Sequence, residues 1–239
     1  MDKMSTLGKG ICIITGASKG FGRALAHEVS PLLEPGSVLL LVARSGALLQ
    51  ELKEELHSFT DKQQLAVHCV AVDLATRTGV NETVRIVRQE AENKIDHVLL
   101  INNAGSLGDI SEFRSFTDIE TVNSYLSFNV SSALALTAGV LVVNVSSILA
   151  LNALPSWVLY CTAKAARHAV FSVLAKEEPN VKVLSYSPGP MDTAMQVDIL
   201  RLTGIRHCLY PCQESAAKLI KLLLDNDFTS GKHLDFFDV

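Results

Sequence analysis

Thr15-Gly16-Ala17-Ser18-Lys19-Gly20-Phe21-Gly22 joins an aliphatic run at 11–15 to a helical pattern that starts at Gly22. Its spacing is G-x-x-x-G-x-G. Glycines suit such a place for two reasons: a turn this tight uses positive φ, and a Cβ would block an approaching pyrophosphate. The helix that follows offers unsatisfied N–H groups and a positive dipole to phosphate. An ordinary tight turn competes with this reading, but the position directly after a first strand favours a dinucleotide cradle.

Outward from that loop, short aliphatic runs recur at 38–42, 65–72, 97–101, 141–145, 181–186 and 233–237. They are mostly apolar on both faces, as a sheet covered by helices requires. Helical patterns lie between them at 22–33, 46–59, 80–93, 125–138, 160–177 and 214–225. Alternation from end to end predicts an α/β fold: a single doubly wound Rossmann-type domain over 1–239, with a mostly parallel seven-stranded sheet. Two stretches fit less easily. The connection from 129 to 141 is short for a crossover, which needs about ten to twelve residues with its helix. The stretch 195–211 has no clear periodicity.

Composition narrows the function. Of 239 residues 48% are hydrophobic and 19% charged, enough for a sizeable core. The net charge of −4 and the lack of a basic run argue against nucleic acid as a partner. No apolar run reaches the roughly 18 residues of a membrane span. Met1-Asp2-Lys3-Met4 is polar and does not read as a signal peptide, so a cytoplasmic protein is expected. Cys12, Cys69, Cys161, Cys208 and Cys212 are an odd, scattered set, which predicts reduced thiols rather than a disulfide framework. Cys208, Cys212 and His207 lack a second ligand pair, so no metal is expected.

The second strand ends Val42-Ala43-Arg44-Ser45, without the acid that holds a ribose 2′-hydroxyl in NAD enzymes. Arg44, with Lys19 in the loop, suits a 2′-phosphate instead, which points to NADP. The competing reading of Arg44 is a solvated loop charge.

Chemistry is suggested by Tyr160 and Lys164, four apart and on one face if helical. An ammonium near a phenol favours the phenolate, and the tyrosine can then act as acid or base at a carbonyl oxygen. Ser146-Ser147 ends the 141–145 strand, Asn102-Asn103-Ala104-Gly105 ends the 97–101 strand, and Asn129 is expected to open a helix. Ligand sites of open α/β sheets gather at such strand ends.

Together these motifs, with Pro188-Gly189, resemble the short-chain dehydrogenase/reductase family. The resemblance implies Tyr160 as acid/base, Ser147 orienting the carbonyl, Lys164 lowering the tyrosine pKa and binding the nicotinamide ribose, and Asn129 holding a relay water. It implies a cofactor site of Gly16, Ser18, Lys19, Gly20, Phe21, Gly22, Arg44, Asp73, Leu74, Asn103, Tyr160, Lys164, Pro188, Gly189 and Thr193, with Asp73-Leu74 at the adenine. Longer phrases, 99–109, 157–161, 177–181 and 230–238, are similar to the pterin-reducing members. They imply a pterin substrate, flanked by Leu107 and Trp157 and anchored by Asp235, beside Ser147 and Tyr160; core packing is the other reading of Leu107 and Trp157. Those members carry longer segments where 129–140 and 195–211 stand here. The first is where the family builds its homodimer. The expected function is NADPH-dependent reduction of pterin side-chain carbonyls. The alternatives are a general reductase of small ketones and diketones, or a catalytically impaired NADP-binding protein.

Overall fold

Strand β1 (Gly10–Thr15) is buried throughout, and its side chains divide between two layers. Cys12 and Ile14 face one apolar cluster, Ile11 and Ile13 the other. A strand apolar on both faces is stable only between two layers of helices, and that is the architecture of the computed structural model, which describes residues 6–92, 95–116, 118–137 and 141–239.

The sheet has seven strands in the order β3-β2-β1-β4-β5-β6-β7. The others are β2 (Val38–Ala43), β3 (Ala66–Ala71), β4 (His97–Asn102), β5 (Leu141–Val145), β6 (Lys182–Ser187) and β7 (Lys232–Asp235). All six pairings are parallel. After β3 the chain crosses back to lay β4 against the other side of β1, so the strand order reverses between β1 and β4. The crevice at the carboxyl ends of these two strands is where such folds bind ligands. The glycine loop leaves β1 there, and Asn102–Gly105 leaves β4.

Helices α1 (Gly20–Val29), α2 (Gly46–Lys62) and α8 (Cys212–Asp225) cover one face, through Leu25, Leu52 and Leu219 among others. Helix α3 (Arg77–Ala91) and the short α5 (Ser132–Leu136) cover the other, through Val84 and Leu136. Helix α6 (Val158–Glu177) lies on β5 and β6, with Phe171 against Val142 and Val183.

Several expected elements shift. Helix α1 stops at Val29 and a 3₁₀ turn, Ser30–Leu32, follows, because Pro31 has no N–H to continue it. The 233–237 strand is displaced to Lys232–Asp235, since Asp235 caps a 3₁₀ turn made by Phe236–Asp238. The edge strand β3 is partly exposed rather than apolar on both faces. The helical pattern at 125 begins earlier, as α4 (Ile119–Leu126), where Asp118 accepts the N–H groups of Glu120 and Thr121. That start adds six residues of helix to the crossover. Asn129 does not open a helix; it sits in a π-turn, Ser127–Ser131, between α4 and α5. Residues 93, 138 and 140, at the ends of the helices expected over 80–93, 125–138 and 129–140, lie outside the described residues, as do Met1-Asp2-Lys3-Met4. Within 195–211 the structure has helix α7 (Ala194–Thr203), ended by Gly204 in the left-handed region. Its Val197, Leu200 and Leu202 are exposed while Ile199 is buried, so no single apolar stripe marks it. Among the described residues no helix is long and apolar enough to cross a membrane.

Candidate active site

The glycine loop is held by backbone contacts that explain its residues. Gly16 has φ +68° and Gly20 φ +55°. A Cβ on Gly22 would lie 2.3 Å from the Gly16 carbonyl oxygen, so only glycine lets α1 start this close to the loop. Behind the loop, Asn103 Nδ2 donates to the carbonyls of Thr15 (2.8 Å) and Gly16 (3.3 Å). Thr15 Oγ1 accepts from the N–H groups of Asn103 (3.0 Å) and Ala104 (2.9 Å). Asn103 thus braces the cradle from the β4 side. Lys19 takes the N-cap position of α1 in extended conformation, with no side-chain cap on the helix N–H groups. Half-buried Ser18 lies beside it. Phe21 is buried and stacks on Tyr186 with ring centroids 6.4 Å apart, so its part in the cradle is its backbone. Gly22→Ala should lower stability by about 1–3 kcal/mol through overpacking against backbone. Thermal unfolding checks this, and an unchanged melting temperature would show that the helix start yields freely.

Thr193 caps the other side. Its Cγ2 is 3.4 Å from where a Gly20 Cβ would stand, and it begins α7. It follows Pro188, whose carbonyl accepts from Ser215 Oγ at 2.9 Å, and Gly189, at φ +71°. Arg44 is exposed just after β2. Neither the Arg44 nor the Lys19 side chain has an ion-pair or hydrogen-bond partner among the described residues, so both cations are available to a ligand. Asp73 and Leu74 stand just past β3, but each has a structural task. Asp73 Oδ1 accepts the Ala75 N–H at 2.9 Å, and Leu74 is buried with Val70 and Leu40.

Tyr160 and Lys164 lie on α6 as expected, with Ser147 at the end of β5. Ser147 Oγ accepts the Leu149 N–H at 3.2 Å, which fixes the side chain facing Tyr160. Lys164 Nζ donates to the Val145 carbonyl at 2.9 Å and lies 5.6 Å from the Tyr160 ring centroid. The electrostatics differ from the sequence expectation. Burial holds the Tyr160 phenol above its ordinary value, with Ser147 and Arg167 pulling it back. Burial and the neighbouring Arg167 charge push Lys164 well below its own. A raised phenol pKa keeps Tyr160 protonated at neutral pH, the state a proton donor needs.

Leu107, Trp157 and Ile199 form a buried apolar wall against Tyr160 and Met195, with Trp157 edge-on to Tyr160 at 5.7 Å. Leu107 and Trp157 are therefore packed together beside the phenol, under α7. Asn129 is buried, and its side chain is fully engaged: Oδ1 accepts the Ser106 N–H (2.8 Å), and Nδ2 donates to Ser106 Oγ (3.1 Å) and the Tyr125 carbonyl (3.0 Å). It holds the loop that carries Leu107. Asp235 pairs in register with Ser187, so it stands at the carboxyl edge of the sheet, one strand beyond β6. Its Oδ1 accepts the Phe237 N–H at 3.1 Å.

The sequence did not single out Arg167 or Tyr125. Arg167 is three residues after Lys164 on the same helix face and is 2% exposed. That spacing was the available signal. Tyr125 donates its hydroxyl to the carbonyls of Ser106 (3.1 Å) and Leu107 (3.3 Å), and only a glycine at 108 clears its ring. Asn102 Nδ2 and Ser146 Oγ, buried at the ends of β4 and β5, have no hydrogen-bond partner among the described residues. That unused polar capacity, with the glycine cradle and the two available cations, fits a dinucleotide lying across the strand ends. A cavity of about 670 Å³ lies elsewhere, bordering Gly20 and lined by Arg23, His27, Tyr210 and Cys212. It does not include Tyr160. The five cysteines are free, and no group of three potential metal ligands occurs among the described residues.

Comparison with known proteins agrees with this geometry. The family model for short chain dehydrogenases matches residues 10–201. The chain is 45% identical to the sepiapterin reductase of Rattus norvegicus over 260 aligned positions, covering 98% of each protein. It is 44% identical to that of Xenopus laevis, covering 99% of this chain and 98% of the relative. The 260 positions exceed the 239 residues of this chain, so the rat relative carries residues that this chain lacks. The L-sorbose reductase of Gluconobacter frateurii, solved with NADPH and L-sorbose, shares the fold at TM-score 0.80, with 24% identity, 98% of this chain and 97% of that one covered. With a parallel sheet, a glycine cradle at the switch point and a Ser147–Tyr160–Lys164 cluster at the strand ends, the chain belongs to the short-chain dehydrogenase family and is an oxidoreductase that uses a nicotinamide cofactor.

Proposed function

We propose that the chain reduces pterin side-chain carbonyls with NADPH, the chemistry of a sepiapterin reductase in tetrahydrobiopterin synthesis. The observation that carries the reading is the apolar wall of Leu107 and Trp157 set directly against Tyr160, a surface suited to a flat ring whose side chain reaches the phenol. The likeness to the sepiapterin reductases over nearly the whole chain supports it.

In this mechanism NADPH, when bound, supplies the hydride. Gly16, Gly20 and Gly22 let the backbone approach the pyrophosphate, with Ser18, Phe21 N–H and Thr193 around it. Arg44 and Lys19 hold the 2′-phosphate. Asp73 and Leu74 would border the adenine, and Asn103, Pro188 and Gly189 the nicotinamide end. Ser147 donates a hydrogen bond to the carbonyl oxygen and orients it. Tyr160 would give that oxygen its proton, and Lys164, which donates to the Val145 carbonyl at 2.9 Å, would hold the nicotinamide ribose. Asp235 receives the donor edge of the pterin. A homodimer is proposed through α5 and α6, where Leu134 and Val173 are exposed, although α5 has only five residues. A cytoplasmic location belongs to the same reading.

Turnover of sepiapterin with NADPH, set beside a panel of small diketones, tests the function. Preference for diketones would replace it with a general carbonyl reductase, and no turnover of either would leave an NADP-binding protein without catalysis. Cofactor choice has its own test. Arg44→Asp removes one phosphate partner and adds repulsion, so the NADPH over NADH preference in kcat/KM should fall by about 10-fold or more. An unchanged preference would return Arg44 to a solvated loop charge.

A further inference from the structure

Beneath the catalytic cluster the sheet interior carries a row of polar side chains where aliphatic ones are expected. Asn102 on β4 pairs in register with Asn144 on β5, and Asn144 with Ser185 on β6. All three are buried. Asn144 Nδ2 donates to Ser185 Oγ at 3.1 Å, which turns its Oδ1 toward α6. There it accepts from Arg167 Nε at 2.8 Å. The rest of the guanidinium donates to the carbonyls of Asn102 (2.5 Å) and Ala104 (3.3 Å). All three acceptors are neutral, and none of the ion pairs among the described residues includes Arg167.

A buried guanidinium is an expensive clamp. A well-packed apolar side chain of similar volume often does as well or better, because the desolvation cost of the charge is avoided. The clamp alone therefore does not account for the charge. Its place does: Arg167 is one helical turn beyond Lys164 and two beyond Tyr160, on the same face of α6. The groups packed around Tyr160 are Trp157, Cys161, Lys164 and Arg167 before and along α6, Tyr125 of α4, Ser147 and Leu149 after β5, Leu107 and Ile110 after β4, and Met195 and Ile199 of α7. Arg167 and Lys164 are the cations of that set, and no carboxylate is in it.

We infer that Arg167 is an electrostatic positioning residue for Tyr160, fixing α6 on the ends of β4 and β5 and lending an uncompensated positive charge to the phenol's ionised form. The inference deepens the reductase reading and rests on it. The direction of ionisation agrees with this placement: the guanidinium opposes the rise of the Tyr160 phenol that burial causes. Through Asn102 and Ala104 the same side chain also reaches the segment whose Asn103 braces the glycine loop. One residue thereby ties the proton donor to the cofactor cradle.

Asn144→Asp separates charge from geometry. It keeps an acceptor for Arg167 Nε and nearly the same shape, yet supplies the missing counter-charge. The readout is the ultraviolet titration of the Tyr160 phenolate in protein without substrate, isolated from Tyr125, Tyr186 and Tyr210 by subtracting a Tyr160→Phe background. Neutralising the guanidinium should move that titration upward by about one pH unit. Reduction needs the protonated phenol and is lost as pH rises through its pKa, so the alkaline limb of kcat should move up equally, with KM little changed. An unmoved titration in folded Asn144→Asp protein overturns the inference and leaves Arg167 a clamp. Should Asn144→Asp fail to fold, Arg167→Met removes the charge outright; the same upward shift is expected, and its absence overturns the inference equally. Wild-type protein that reduces no carbonyl with NADPH strikes instead at the function, and leaves the spectroscopic titration standing.

Discussion

Tyr160→Phe should lower kcat for carbonyl reduction by at least about 10²-fold while NADPH binding changes little. The phenol is half-buried on α6, with Ser147 at its oxygen side and Trp157 edge-on to its ring. Removing one oxygen leaves that packing in place, so the variant should fold with near-native stability. The proton for the substrate oxygen must then come from water or Ser147, neither held with a comparable pKa. Burial keeps the phenol protonated up to alkaline pH, so the wild-type reduction rate should be flat through neutrality and fall only as pH passes the raised Tyr160 pKa. In Tyr160→Phe that limb should vanish. Single-turnover kinetics at saturating NADPH, with a parallel NADPH titration by fluorescence, measure both quantities. Near-wild-type turnover would remove Tyr160 from the chemistry, and a large loss of NADPH binding would make its part structural.

Which parts of this site were legible in the sequence follows from how local each signal is. The glycine loop is local: its spacing encodes positive φ and a missing Cβ, and Gly16, Gly20 and Gly22 stand as those demands require. Tyr160, Lys164 and Ser147 were legible because a helix turn and a strand end put them together by spacing alone. Seven strands were found because buried parallel strands read as aliphatic runs. What escaped depends on tertiary partners. Helix α7 exposes several apolar residues and has no single stripe. Asn129 was expected at a helix start, but α4 continues through it as a π-turn, and its side chain is drawn to Ser106, 23 residues away. The i, i+4 spacing points to Lys164 as the group that lowers the phenol, whereas burial raises it and Arg167 is the cation that opposes the rise; burial is not written in a spacing. Arg167 escaped because its three acceptors lie on two strands and a loop far off in sequence. The roles of Phe21, Asp73 and Leu74 split in the same way: the positions lie at the strand ends, while the side chains serve packing and a turn.

Asp235→Asn should lower kcat/KM for sepiapterin by roughly 10- to 150-fold, the loss of a charge-assisted hydrogen bond of about 1.5–3 kcal/mol, and leave a small diketone hardly affected. The physical case is a match of shapes: a pterin offers its amino group and a ring N–H side by side, and an ionised carboxylate accepts both. Asp235 stands at the carboxyl edge of the sheet beside Ser187, just ahead of the Pro188-Gly189 turn. The structure adds a condition. Oδ1 already accepts the Phe237 N–H at 3.1 Å, and Asp238 accepts the Asp235 N–H at 2.9 Å, so the carboxylate is half engaged in a capping box. A pterin would have to share Oδ1 or release that cap, while Oδ2 stays open to it. Asparagine keeps a carbonyl oxygen for Phe237, so the C-terminal turn should survive, and the loss should appear only with the substrate that carries the donor edge. Asp238→Asn is the control: it weakens the other half of the capping box without touching the proposed anchor, and sepiapterin kinetics should stay within about twofold of wild type. Equal losses on sepiapterin and diketone in Asp235→Asn would assign the residue to the turn alone, and the pterin would then have to be held by the Leu107–Trp157 wall without a charged anchor.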